Sequence, residues 1–210
     1  MDDFSIQDER IDKALNELKI INKFLGGIST TKSALNYFAE SENAKLKILD
    51  IGSGSSDNLI AAKSKYPNLK ILSIDKNLRA LSSSENLLEK INSNAFELPF
   101  KNNSCDIVHA ALFLHHFTEE ELHLLLREIL RTTRKGIIIN DLQRSYFALM
   151  GIKILTILFS KSEMVKNDAP LSVKRGFTKQ EILKLFSDVG VTNIVIKKKW
   201  AFRWMVVIKK

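Results

Sequence analysis

Between Lys45 and Ile139 short apolar runs alternate with helical stretches, and this alternation restricts the possible folds more than any other feature of the chain. Leu46-Lys47-Ile48-Leu49-Asp50-Ile51 reads as a strand, and a helix from Ser56 to Tyr66 follows it and is closed by Pro67. Ile71-Leu72-Ser73-Ile74-Asp75 is a second strand, Asn77 to Lys90 a second helix, and a short third strand is expected near Ile91. Cys105 to Ala111 forms the fourth strand, a helix begins at Thr118 with Glu121 in capping-box spacing, and Gly136 opens the run Ile137-Ile138-Ile139. Strands separated by helices must run parallel, so the pattern predicts an α/β, doubly wound sheet. The end differs, with a helix from Thr178 to Val189, a strand from Val191 to Ile196 and another from Trp200 to Ile208 after a tight Lys-rich turn. Adjacent strands with no helix between them form an antiparallel hairpin. The expected sheet is therefore seven-stranded, mostly parallel, with an antiparallel C-terminal hairpin strand.

At 210 residues and 45% hydrophobic content the chain suits one domain, expected over 1–210. Eight glycines, three prolines and 27% charged residues exclude collagen-like and disordered classes. The single cysteine, Cys105, excludes an internal disulfide or a cysteine-rich zinc site and fits a reducing compartment, so a cytoplasmic protein is expected. Met1 to Phe4 show neither the basic nor the apolar region of a secretory signal. A net charge of +8 raises anionic partners without choosing among nucleic acid, acidic lipid and an acidic substrate.

Residues 1–44 read as a helical cap. One helix carries Ile11, Leu15, Leu18 and Leu25 on one face, and a second, opening at Ser29 or Thr30 after Gly26-Gly27, carries Leu35 and Phe38. Residues 143–177 read as an insertion after the fifth strand. Within it Ser145 to Ser160 is apolar nearly all round apart from Lys153, Thr156 and Ser160, and is shorter than the ~18–20 residues that span a bilayer. A buried or interfacial helix is expected there.

The strongest site signal is Ile48-Leu49-Asp50-Ile51-Gly52-Ser53-Gly54-Ser55-Ser56-Asp57, a strand running into glycines and then a helix. Glycines let the backbone turn sharply and let a ligand lie against it. Asp75 ends the next strand, where such folds place a carboxylate on ribose hydroxyls, so a nucleoside ligand is expected. A dinucleotide fingerprint would need glycine where Asp57 stands, and no Lys-Ser or Lys-Thr pair follows the glycines as a phosphate loop requires. A nucleoside without phosphates and with positive charge suits these acidic neighbours, and S-adenosylmethionine has that chemistry.

Asp50-Ile51-Gly52-Ser53-Gly54-Ser55-Ser56 resembles the D-x-G-x-G-x-G signature of class I S-adenosylmethionine-dependent methyltransferases, and Ile74-Asp75 resembles their ribose-binding acid. Ser93 to Phe100, Asn103 to Val108 and Leu114-His115-His116-Phe117 are similar to the adenine-binding loop and fourth-strand region of the small-molecule branch. The resemblance covers roughly Leu46 to Asp141 and implies a Rossmann-like fold. Ser56 stands where the family has its third glycine, and Asn94 where it has an acid; serine is expected to cap the helix, and the asparagine carbonyl to accept from an adenine amino group. The resemblance implies cofactor contacts from Asp50, Gly52, Ser53, Gly54, Asp75, Lys76, Asn94, Ala95 and Ala111.

Methyl transfer leaves a neutral thioether, so alignment supplies most of the catalysis and a base matters only where the acceptor carries a proton. His115 and His116 after strand four and Asp141 after strand five stand where the cleft of such a sheet opens and are the candidate catalytic residues. The insertion is expected to cover the acceptor site, with Tyr146, Phe147, Met150 and Leu155 as an apolar lid and Arg144, Lys174 and Arg175 flanking it. Arg144 and Arg175 complete the expected substrate-binding set. His109 is expected to be a packed strand residue, Cys105 a small buried hydrophobe, Lys197-Lys198-Lys199 a solvated hairpin tip, Trp200 and Trp204 two core residues on one strand face, and Ser82-Ser83-Ser84 a polar helix face. The reading at this point is methyl transfer from S-adenosylmethionine to a small apolar or aromatic acceptor, of phenol, quinone or polyketide type, at oxygen or carbon. A silent nucleoside-binding module and a nicotinamide-dependent oxidoreductase stay open as alternatives. No metal and no nucleic acid are expected, and contact with a membrane surface stays open.

Overall fold

A computed structural model describes residues 9–82 and 88–210, apart from the side chains of 9–15 and 18. The elements in chain order are α1 (Glu9–Phe24), α2 (Gly27–Leu35), β1 (Lys47–Ile51), α3 (Asp57–Ala62), β2 (Lys70–Asp75), α4 (Leu78–Ser82), β3 (Glu89–Asn92), β4 (Cys105–Ala111), a 3₁₀ turn (Leu114–His116), α5 (Glu119–Thr132), β5 (Thr133–Leu142), α6 (Tyr146–Phe159), α7 (Glu163–Arg175), α8 (Lys179–Asp188), β6 (Ile194–Lys199) and β7 (Arg203–Lys209). The seven strands lie in the order β3-β2-β1-β4-β5-β7-β6. β1 to β5 pair parallel, and β7 runs antiparallel to both β5 and β6, as expected from the pattern.

Alternating side chains of the central strands feed two cores. Leu49, Ile51, Val108, Ile137 and Ile139 pack on one face under Leu125 and Ile129 of α5 and Phe186 of α8. Ile48, Ile107, Ile138 and Val207 pack on the other under Leu35 of α2 and Leu59 of α3. Both faces are covered, as parallel sheets require. Thr118 and Glu121 form the expected capping box of α5, and Thr178 and Glu181 form a second one at α8. The strand order reverses between β1 and β4, and a crevice for ligands opens there at the carboxyl ends of the strands.

Several expected boundaries move. α3 stops at Ala62 rather than Tyr66. Glu89 and Lys90 belong to β3, not to the helix after Asn77, and Ser83 and Ser84 lie outside the described residues. α2 opens at Gly27, because Gly26 turns the chain at φ +79°. Lys197, Lys198 and Lys199 are not a hairpin tip but the end of β6, the edge strand, where charges keep a sheet from pairing further. Because Lys199 pairs with Arg203, the turn is Trp200 to Phe202, with Ala201 and Phe202 at φ +57° and +56°. Trp200 is therefore 72% exposed, while Trp204 is 2% exposed, and the two do not share a packed face. Of the apolar face expected on α1, Ile11, Leu15 and Leu18 lie outside the described side chains, and Leu25 is half-buried. α7 was not legible in the sequence and packs on α6 beside the crevice.

Candidate active site

The loop after β1 takes three left-handed turns, at Gly52 (φ +58°), Gly54 (+49°) and Ser56 (+57°). The first two residues pay no steric cost for this; Ser56 does, of about 1–2 kcal/mol. Its buried hydroxyl lies 2.7 Å from that of Ser73 on β2, a bond that offsets the cost. The expected capping role is corrected, since the Ser56 side chain makes no cap bond to α3. A Cβ on Gly52 would fall 2.0 Å from the ring of Phe113, whereas Gly54 faces open space. Asp75 fixes this loop: one oxygen accepts the N–H of Gly54 at 2.8 Å and the other that of Asn77 at 2.8 Å. Burial raises the Asp75 carboxyl above its ordinary value, and these backbone bonds only partly counter it.

The loop is one end of a cavity of ≈ 1200 Å³. Gly52, Gly54, Asp75, Lys76, Asn94 and Ala95 line that end, and His115, His116, Ala148, Ile152, Leu155 and Arg175 line the rest. Pockets for one small ligand hold about 300–1,000 Å³, so there is room for a nucleoside and a second molecule. α1 lies across the loop side. Lys19 pairs with Asp57 at 2.7 Å, and Asn22 donates to Asn58 at 2.9 Å, while Ile21 and Leu25 face the cavity. Phe96, Phe117 and Phe113 stack edge to face in sequence, with centroids 5.2 and 4.9 Å apart, and form an aromatic wall reaching Gly52.

Two buried aspartate–histidine pairs flank the end of β4. In the first, His109 Nδ1 lies 2.7 Å from Asp50 Oδ1 and Nε2 lies 3.1 Å from the Thr31 hydroxyl. The chain of bonds continues: Asn140 donates to Thr31 and to the carbonyl of Gly27, and Arg203 donates to Asn140, to the carbonyl of Leu25 and to Asn22. Arg203 is 2% exposed, and burial lowers its guanidinium to about 10 against the pull of the Asp141 charge. In the second pair, His115 Nδ1 lies 2.6 Å from Asp141 Oδ1. Asp141 also accepts the backbone N–H groups of Leu114 and Leu142 at 2.9 and 2.8 Å. Burial alone would raise the Asp141 carboxyl; the charge and hydrogen bond of His115 outweigh it and hold the carboxyl below its ordinary value. His115 Nε2 is buried with no hydrogen-bond partner among the described residues, on a residue that lines the cavity.

The structure thus brings Gly52, Gly54, Asp75, Lys76, Asn94, Ala95, His115, His116, Arg175 and Leu155 to one cavity. The Asn94 carbonyl already accepts the N–H of Phe96 at 3.2 Å. Other expected residues stand elsewhere. Asp50 is turned under the loop onto His109, and Ser53 and Ala111 are not on the cavity wall. Asp141, expected as a direct participant, is 1% exposed, is not on the cavity wall and meets His115 instead. Tyr146, Phe147 and Met150 are corrected too: they are 71%, 73% and 41% exposed on the outer side of α6, and the same helix turns Ala148, Ile152 and Leu155 inward. Arg144 is engaged outside the cavity, in an ion pair with Glu181. The sequence reading missed Arg203, Thr31 and Asn140, although an arginine opening the apolar run Trp204-Met205-Val206-Val207 and an asparagine closing Ile137-Ile138-Ile139 were visible signals. His109 and Cys105 are buried, at 1% and 2% exposure, as expected.

The residues present fit a phosphate-free, cationic nucleoside. Gly54 presents bare backbone to open space, Asp75 presents a carboxylate beside it, and the carboxylate suits vicinal hydroxyls. Residues 49–139 match the family described as methyltransferase domain. No curated protein matches the sequence significantly. Among solved structures, the chain is similar to the plantazolicin methyltransferase BpumL in complex with S-adenosylhomocysteine (TM-score 0.74, 15% identity, 99% of this chain and 92% of that one). It is similar to human N-acetylserotonin methyltransferase in complex with S-adenosylmethionine (0.68, 17%, 96% and 56%) and to a methyltransferase from Aquifex aeolicus (0.62, 15%, 85% and 88%). The chain spans 56% of the human protein, and the same share of a similar structure from Nostoc punctiforme.

Proposed function

With residues 49–139 a methyltransferase domain on the class I S-adenosylmethionine-dependent fold, we propose that this enzyme methylates a small apolar or aromatic acceptor at oxygen or carbon, with His115 as its base. The observation that carries the reading is the Asp141–His115 pair, whose second ring nitrogen is left unbonded beside the same cavity that Gly54 and Asp75 line. When bound, S-adenosylmethionine supplies a methyl group on a positively charged sulfur.

Everything else is the work of the chain. Gly54 admits the ligand against the backbone, Gly52 makes room for the Phe113 ring beside it, and Asp75 accepts from its sugar through the lone pairs that Gly54 and Asn77 leave. Asp141 accepts the Nδ1 proton of His115, which fixes the tautomer with Nε2 as the acceptor. That nitrogen takes the proton of a phenol or enol as it becomes a nucleophile. The imidazolium so formed faces the Asp141 carboxylate, which stabilises it. Ala148, Ile152 and Leu155 of α6 and Val173 of α7 give the acceptor end an apolar wall that excludes water and suits an aromatic or long-chain molecule. Residues 143–177 then act as the cover of the acceptor site and, of the expected cap 1–44, the described part from Lys19 to Leu25 acts as the cover of the loop.

Titration calorimetry with S-adenosylmethionine and its demethylated product tests the cofactor, and both should bind. Asp75→Ala should weaken binding by about 1–3 kcal/mol, the range for hydrogen bonds to a charged group. Absence of binding by either compound would remove the enzyme reading.

A further inference from the structure

α6 is built inside out. Phe147, Ile157, Leu158 and Phe159 are 73%, 70%, 67% and 77% exposed, and Met150 and Ile154 are exposed with them, while Thr156, a polar residue, is 1% exposed. Thr156 satisfies its hydroxyl on the helix's own Ile152 carbonyl at 2.9 Å. Phe147, Met150, Ile154 and Leu158 recur at helical spacing and form one outward stripe, opposite the residues that wall the cavity. An apolar face of this length on a water-facing helix marks an interaction surface.

The charges around the stripe choose the partner. From residue 143 to 162 there is no acidic residue, while Lys153 lies within the helix and Lys161 just beyond it, both exposed, on a chain of net charge +8; the carboxylates beside Lys161 are engaged, Glu17 with the Lys161 N–H at 2.9 Å and Glu163 with Lys166 at 2.7 Å. A second copy of this chain would have to present the same patch to itself, setting these cations against one another with no carboxylate of the stretch between them. An anionic surface supplies the opposite charge. At 14 residues α6 is about 21 Å long, short of the ~30 Å hydrocarbon core, and no described helix is long and apolar enough to cross a membrane. A short helix with apolar side chains and flanking lysines lies in the boundary layer of a bilayer.

We propose that α6 docks the protein on an anionic lipid surface, with Phe147, Met150, Ile154 and Leu158 in the acyl boundary and Lys153 and Lys161 at the headgroup phosphates. Docking does not depend on the methyl-transfer reading, but where that reading holds, α6 becomes the wall between bilayer and acceptor cavity.

Flotation with phosphatidylcholine vesicles containing about 30 mol% phosphatidylglycerol tests it, read without cofactor. The protein should float with these vesicles and bind pure phosphatidylcholine at least about tenfold more weakly, with salt narrowing the difference. Phe147→Glu/Ile154→Glu should abolish flotation at an unchanged melting temperature, and Lys153→Glu/Lys161→Glu should remove the preference for anionic vesicles. Failure of the unaltered protein to float, or equal binding to both vesicle types, overturns the proposal. So does a dimer in sedimentation velocity that Phe147→Glu/Ile154→Glu converts to monomer, since a second copy would then cover the face.

Discussion

Asp50–His109 and Asp141–His115 are the same pair of groups at nearly the same separation, 2.7 and 2.6 Å, each with the imidazole buried. They differ in what the second ring nitrogen meets. His109 Nε2 meets the hydroxyl of Thr31, which itself accepts from Asn140, so the first pair is one segment of a bonded chain tying β1, β4, β5 and β7 to α2. His115 Nε2 is buried and meets no partner among the described residues, on a side chain that lines the cavity. One pair is closed and holds the loop-bearing strand to its neighbours; the other leaves its second ring nitrogen unbonded, which is what the proposed role as base requires. Burial and a carboxylate partner alone do not mark a catalytic histidine.

The largest effect should come from opening the comparison at its reactive side. His115→Ala should lower kcat by about 10²–10⁴-fold on an acceptor that carries a proton, with the dissociation constant of S-adenosylmethionine unmoved. Full turnover in steady-state assays would make the two pairs equivalent. His109→Leu should do the reverse. It strands the Asp50 carboxylate at 3% exposure and should cost about 3–5 kcal/mol in urea unfolding, while the folded fraction keeps its kcat.

Thr31→Val sharpens the contrast, because it gives His109 the unbonded nitrogen that His115 has. It should cost about 1–3 kcal/mol of stability and confer no activity on a His115→Ala background. The smallest effect is confined to acid. The Asp141 carboxyl lies below its ordinary 3.8 in the folded state, so its contribution to stability is complete above that value and is lost as pH falls through the lower folded one. Asp141→Asn should therefore flatten the acid limb of the melting-temperature profile below about pH 4, and an unchanged limb would show that the pair is not ionised.

How much could be read beforehand follows from the range of each interaction. The capping box at Thr118 joins residues three apart and was legible; at Thr178 the helix start was legible and the same spacing to Glu181 went unread. So were the glycines and Asp75, since a strand, a tight turn and the next strand end are ordered along the chain. Phe147 and Met150 misled because a helix that is apolar nearly all round does not declare which side faces in. The lysines of β6 misled because charge on an edge strand and charge in a turn look alike in one dimension.

By itself the sequence determined the doubly wound sheet, the antiparallel last strand and the glycine loop with its facing carboxylate, because alternation, turn chemistry and strand spacing are local and act on every residue of an element. Only the tertiary structure decided which of two aspartate–histidine pairs opens on the cavity and which side of α6 faces out. Those outcomes depend on partners such as Thr31 and Arg203, 78 and 94 residues away from His109 along the chain, which the sheet order and the packing of α2 on the sheet bring together.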